Sequence, residues 1–94
     1  MKPILMFTME SCPHCKRAIL WMEELKKENP RYADLEITII DETIHSSIAR
    51  EYDYYYVPTY FVDGVKIHEG VANKDRIHAV FQTACDQERL FLKS

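Results

Sequence analysis

Two cysteines separated by two residues, Cys12-Pro13-His14-Cys15, stand where a short apolar run gives way to a helical pattern. Residues 3–8 are apolar and meet the polar loop Thr8-Met9-Glu10-Ser11, which predicts a buried strand. From His14 to Asn29 the apolar residues Cys15, Ala18, Ile19, Met22 and Leu25 recur at helical spacing, and Asn29-Pro30 closes the pattern. Pro13 suits the first turn of that helix, where its missing N–H has no helical partner to lose. The cysteine pair is therefore expected at a strand-to-helix junction.

Further along, Leu35-Glu36-Ile37-Thr38-Ile39-Ile40 reads as a second strand. A helical crossover of this length makes the two strands parallel, with a right-handed connection. A shorter helix is expected over residues 43–52, carrying Ile44, Ile48 and Tyr52 on one face. Val57-Pro58-Thr59-Tyr60-Phe61-Val62 and Val65-Lys66-Ile67-His68-Glu69 flank Asp63-Gly64, a strong hairpin signal. A last helix is expected from about Asn73 to Arg89, with Ile77, Val80, Phe81, Ala84 and Cys85 on its inner stripe. The order is βαβαββα. With 94 residues and no repeat or Gly/Ser linker, the chain is expected to form one domain over 1–94.

Such a domain buries a thin core, so its chemistry should sit at the surface. The formal net charge of −3 argues against nucleic acid as the main partner. The apolar stretch Ile4-Leu5-Met6-Phe7 is shorter than a signal-peptide core and no small-residue cleavage site follows it. No stretch approaches the roughly 20 apolar residues that span a bilayer. A soluble, cytoplasmic protein without a membrane partner is expected. Three cysteines in a reducing compartment are too few for a disulfide framework and point to metal binding or redox chemistry.

Redox chemistry fits the pair better. Exchange needs one thiolate that attacks and a second thiol close enough to displace it. On the first turn of a helix, C-x-x-C brings the sulfurs together and sets the first at the positive end of the helix dipole, which favours its thiolate. Cys12 is the expected nucleophile, and Cys15, in register with the apolar stripe, the shielded resolving thiol. His14 beside them would favour the anion and make the disulfide more oxidising. Lys16 and Arg17 stand where acidic residues are preferred, which fits a site for an anionic thiol substrate. For all three the plain alternative is a solvated side chain. Zinc wants four ligands, and His45, His68 and His78 lack the spacing that would complete the set. An iron–sulfur cluster shared by two chains is no better supported. No metal and no bound cofactor is expected. Cys85 is read as a packing residue, with a regulatory thiol as the alternative.

Cys12-Pro13-His14-Cys15 after a strand, with Val57-Pro58-Thr59 opening another strand about forty residues later, resembles the thioredoxin superfamily. The compact order and the Cys-Pro-x-Cys form are similar to its glutaredoxin branch, over essentially the whole chain. The resemblance implies an α/β fold of the thioredoxin-like kind, a four-stranded mixed sheet of order 2-1-3-4 with helices on both faces. It implies a cis Val57–Pro58 bond facing Cys12, with the Val57 backbone free to pair with an extended substrate. Pro13, His14, Val57, Pro58, Thr59 and Asn73 become the expected substrate-binding residues. Asn73 enters because the helix N-terminus there offers donors to a carboxylate. The activity implied is reduction of protein or glutathione mixed disulfides, a role in electron transport and cell redox homeostasis. Glutathione is the implied co-substrate, with a thioredoxin-reductase-type flavoenzyme as the alternative reductant. A non-catalytic redox sensor or adaptor is the reading of a different class.

The departures are specific. Met9 stands where glutaredoxins commonly carry a lysine, and Gly70-Val71-Ala72-Asn73-Lys74-Asp75 has one glycine where they commonly have two. The first strand lacks the buried aspartate of thioredoxins. Tyr52, Tyr54, Tyr55 and Tyr56, just before Pro58, are either a landing surface for a peptide or packing residues.

Overall fold

The computed structural model describes residues 1–85. Strand β1 (Ile4–Thr8) runs into helix α1 (Pro13–Glu28), and a 3-10 turn over Pro30–Asp34 leads to β2 (Ile37–Asp41). A one-turn helix α2 (Ser46–Ala49), the hairpin β3 (Thr59–Val62) and β4 (Val65–Glu69), and helix α3 (Lys74–Cys85) complete the order. The part of the last expected helix beyond Cys85 lies outside the described residues.

The four strands form one mixed sheet of order β2-β1-β3-β4. β1 is parallel to β2, as a helical crossover requires, and antiparallel to β3, which pairs antiparallel with β4. Asp63 and Gly64 take φ of 51° and 81°, so both central turn residues are left-handed, the conformation that suits a tight hairpin.

Side chains alternate along β1, so Ile4 and Met6 face one way and Leu5 and Phe7 the other. Ile4 and Met6 join Tyr60 and Val62 under α1 and α3, whose Ala18, Met22, Leu25, Ile77, Val80, Phe81 and Ala84 close the main core. Each large side chain buried there contributes about 1.5–3 kcal/mol. On the opposite face Phe7 stacks on Tyr54 at 4.7 Å and meets Phe61 edge-on at 5.9 Å, while Tyr52 packs on both Phe7 and Phe61.

The second helix is shorter than its sequence predicts. Asp41 accepts hydrogen bonds from the backbone N–H and hydroxyl of Thr43, which holds residues 41–43 in a turn. His45 then precedes the helix without a capping side-chain hydrogen bond. The expected face breaks up accordingly: Ile44 is 68% exposed and Ile48 is exposed, while Tyr52 packs on the sheet without being helical.

Candidate active site

β1 ends at Thr8, the chain turns through Cys12 N–H to Met9 carbonyl at 3.1 Å, and α1 begins. Cys12 is the N-cap residue, with extended backbone, and its carbonyl accepts the first helical bond, from Lys16 N–H at 3.2 Å. Its Sγ accepts the Cys15 N–H at 3.1 Å. A helix start leaves such N–H groups without helical partners, and here the sulfur takes one. Pro13 occupies the next position and keeps the chain helical without needing a donor.

The two sulfurs differ. Cys12 is 8% exposed and Cys15 only 1%. Burial pushes the Cys15 thiol up to about 11, and its hydrogen bond with Cys12 adds to this. The Thr8 side chain and the Met9 backbone oppose that shift, so polar groups at the end of β1 face the inner sulfur. Tyr60, fully buried at the centre of the sheet, donates its hydroxyl to Met22 Sδ at 3.3 Å. Burial raises its phenol well beyond the ordinary tyrosine range. All three cysteines are free thiols.

The Val57–Pro58 bond is cis, and the Cys12 thiol points at the Val57 carbonyl across 4.0 Å. Pro58 is buried and its carbonyl accepts Gly70 N–H at 2.9 Å. Thr59, with no exposed surface, donates its hydroxyl to the Tyr56 carbonyl. Cys12, Cys15, Val57 and Pro58 are thus one cluster. Thr59 lies behind it, holding the loop. His14 is exposed beside the pair, as are Lys16 and Arg17. Asn73 is exposed too, but its side-chain oxygen accepts Arg76 N–H at 2.8 Å and caps α3.

The tyrosine run divides. Tyr52 and Tyr54 pack against Phe7, and Tyr54 donates its hydroxyl to Glu42 at 2.7 Å. Tyr55 and Tyr56 are 84% and 69% exposed next to Val57. Cys85 is buried at 3% and its thiol lies 3.7 Å from Met1 Sδ, a packed sulfur at the far end of α3. Among the described residues no group of three or more His, Cys, Asp and Glu side chains is gathered closely enough to hold a metal ion. No helix among them is long and apolar enough to cross a membrane.

Two residues escape the sequence pattern. Glu69 accepts hydrogen bonds from the backbone N–H groups of Tyr55 and Tyr56, the latter at 3.0 Å, and pairs with Lys66 at 2.7 Å. Lys66 also donates to the Asp53 carbonyl at 3.1 Å. On a regular strand, residues three apart point to opposite faces. A register irregularity in the hairpin, where Tyr60 pairs with His68 but Phe61 with Lys66, places an extra residue between them. Nothing in the sequence marks that bulge.

The model of the family described as glutaredoxin matches residues 4–67. No curated protein matches the chain. Among solved structures, a malarial protein superposes with a TM-score of 0.69 at 16% identity, over 89% of this chain and 97% of that one. The oxidised thioredoxin of Plasmodium falciparum gives 0.68 at 21% identity, over 87% and 79%. A mutant thioredoxin from Halobacterium salinarum gives 0.65 at 22% identity, over 88% and 74%. At these identities the likeness is one of fold.

Proposed function

The chain belongs to the glutaredoxin family, and on that premise we propose that it is a dithiol–disulfide oxidoreductase working through Cys12 and Cys15. The observation that carries this reading is the asymmetry of the pair. The outer sulfur accepts a main-chain N–H at a helix start, and the inner one is buried and held as a thiol.

In the first step the Cys12 thiolate attacks one sulfur of a substrate disulfide. A bond forms between Cys12 Sγ and that sulfur, and the other substrate sulfur leaves as a thiolate and takes a proton from water. In the second step Cys15 loses its proton and attacks Cys12 Sγ, releasing the remaining substrate thiolate. The substrate gains two electrons and the chain ends with a Cys12–Cys15 disulfide. The Val57 backbone, beside Cys12, offers an edge on which an extended substrate can pair.

Two molecules of reduced glutathione would return the pair to dithiol and leave as oxidised glutathione. A thioredoxin-reductase-type flavoenzyme is the second candidate, and Met9 together with the single glycine before α3 favours weighing it. Protein disulfides and glutathione mixed disulfides are the proposed substrates, and a reducing compartment, the cytoplasm, the proposed setting. A sensor or adaptor role is less economical, because an intact, differentiated pair is not needed for binding alone.

The test is turnover of a glutathione mixed disulfide and of insulin disulfides, each with glutathione or a flavoenzyme as reductant. Cys12→Ser should abolish both activities, and Cys15→Ser should trap a mixed disulfide on Cys12. Full activity of Cys12→Ser would refute the mechanism.

A further inference from the structure

We propose that Glu69 and Lys66 are positioning residues that hold the 53–57 loop in front of Cys12 and thereby tune how an extended polypeptide disulfide is received. The inference rests on the oxidoreductase reading and extends it to residues outside the cysteine cluster.

The loop reaches Val57 with little regular structure of its own. Its backbone groups are met instead from β4: Tyr55 and Tyr56 N–H by one Glu69 oxygen, and the Asp53 carbonyl by the Lys66 ammonium. The other Glu69 oxygen binds Lys66 at 2.7 Å, so acid and base hold each other as well as the loop. Thr59 takes the Tyr56 carbonyl and Gly70 takes that of Pro58. Val57 is therefore flanked on both sides by residues whose main chain is tied to the hairpin.

With its N–H groups turned inward to Glu69, the segment presents the Tyr55 and Tyr56 rings outward, 84% and 69% exposed. The carboxyl is held down at about 2, first by the Lys66 hydrogen bond and then by the two N–H donors, so it is an anion throughout the working range. Without the brace, the two N–H groups would turn to water and the loop would sample several arrangements. A substrate that contacts only Cys12 would notice little. One that lies along Val57 and the tyrosines would have to reorder the loop on binding.

The experiment uses the full chain in its reduced form, oxidised under single-turnover conditions by insulin or by 2-hydroxyethyl disulfide. Glu69→Ala is expected to raise the half-saturation for insulin, relative to the small disulfide, about fivefold, with the limiting rate changed by less than about twofold. Lys66→Met should shift the same ratio in the same direction, by about twofold. The rate of Cys12 alkylation by iodoacetamide should stay at its wild-type value in both. An unchanged ratio in both variants, or a fall in alkylation that parallels the loss, would overturn the proposal. If Glu69→Ala does not fold, an unchanged ratio in Lys66→Met overturns it alone. Failure of the wild-type protein to react with either disulfide would instead overturn the oxidoreductase reading.

Discussion

The backbone N–H of Cys15 donates to the sulfur of Cys12 at 3.1 Å, so the residue that carries the inner thiol also holds the outer one. One turn of helix gives the two sulfurs different surroundings. Cys12 keeps 8% of its surface exposed at the N-cap, beside the Val57 carbonyl, and Cys15, 1% exposed, turns inward with the apolar stripe of α1. The division of labour proposed for disulfide exchange rests on that geometry, in which the more exposed sulfur would attack and the shielded one would stay in reserve.

Alkylation reads this division directly. Iodoacetamide added to the native, reduced protein at about pH 7 should modify Cys12 alone, because reaction needs an accessible thiolate. Cys15 and Cys85, at 1% and 3% exposure, should react only when the protein unfolds. Peptide mapping by mass spectrometry checks it, and comparable labelling of Cys15 in the folded protein would contradict the assignment.

The resolving step should depend steeply on pH. Burial raises the Cys15 pKa from 9.0 to about 11, so the thiol prevails below that value and its attacking anion grows as pH rises. Forming a mixed disulfide on Cys12 removes part of the upward shift, but burial, the largest cause, persists. The rate at which Cys15 expels a chromogenic thiol from Cys12 should rise about tenfold per pH unit between about pH 6 and 9. Stopped-flow absorbance measures it. A flat profile would mean that an internal base ionises Cys15.

The main architecture was legible because each signal was local and its packing agreed with it. Cys15, Ala18, Met22 and Leu25 repeat every three or four residues and are all buried on α1. Asp63-Gly64 marks its turn by conformational need alone. Ile44, Ile48 and Tyr52 also carry a helical spacing, but Asp41 and Thr43 close a competing turn ahead of it, a contest that periodicity does not register. The four tyrosines look alike in sequence, yet the burial of Phe7 on the far sheet face separates Tyr52 and Tyr54 from Tyr55 and Tyr56. The roles of Glu69 and Lys66 depend on a one-residue irregularity in a hairpin, which only the assembled sheet reveals.

The short α2 has a consequence for stability. Phe7 has no exposed surface and three aromatic neighbours, so Phe7→Ala should cost about 3–5 kcal/mol through lost burial and the cavity left behind. Ile44, 68% exposed, lies outside any packed face, and Ile44→Ser should change stability by less than about 0.5 kcal/mol. Urea unfolding of the two variants checks the contrast. A large loss from Ile44→Ser would restore the longer helix that the sequence predicts.

Gly64 tests the hairpin. At φ of 81°, with nothing within 4 Å of where a Cβ would stand, substitution meets backbone strain and no collision. Gly64→Ala should cost about 1–2 kcal/mol, while Gly64→Asn should cost less because asparagine tolerates left-handed backbone. Equal losses from both, measured by thermal unfolding, would point to a contact and not to conformation.

The Glu69 carboxyl offers a readout of the loop brace that needs no substrate. Its folded pKa is lowered from 4.5 to about 2, first by the hydrogen bond from Lys66 and then by the Tyr55 and Tyr56 N–H groups. A depressed carboxylate stabilises the fold above its unfolded pKa, and that contribution is lost as the pH falls through the folded value. For Glu69 the support is therefore complete above about pH 4.5 and fades toward about pH 2. In an NMR titration the carboxyl carbon of Glu69 should move with a midpoint far below its free value, and the amides of Tyr55 and Tyr56 should move with it. Lys66→Met, which removes the largest cause, should raise that midpoint while leaving the two amides bonded. A wild-type midpoint near 4.5, with the tyrosine amides indifferent to it, would mean that the carboxylate does not hold the loop.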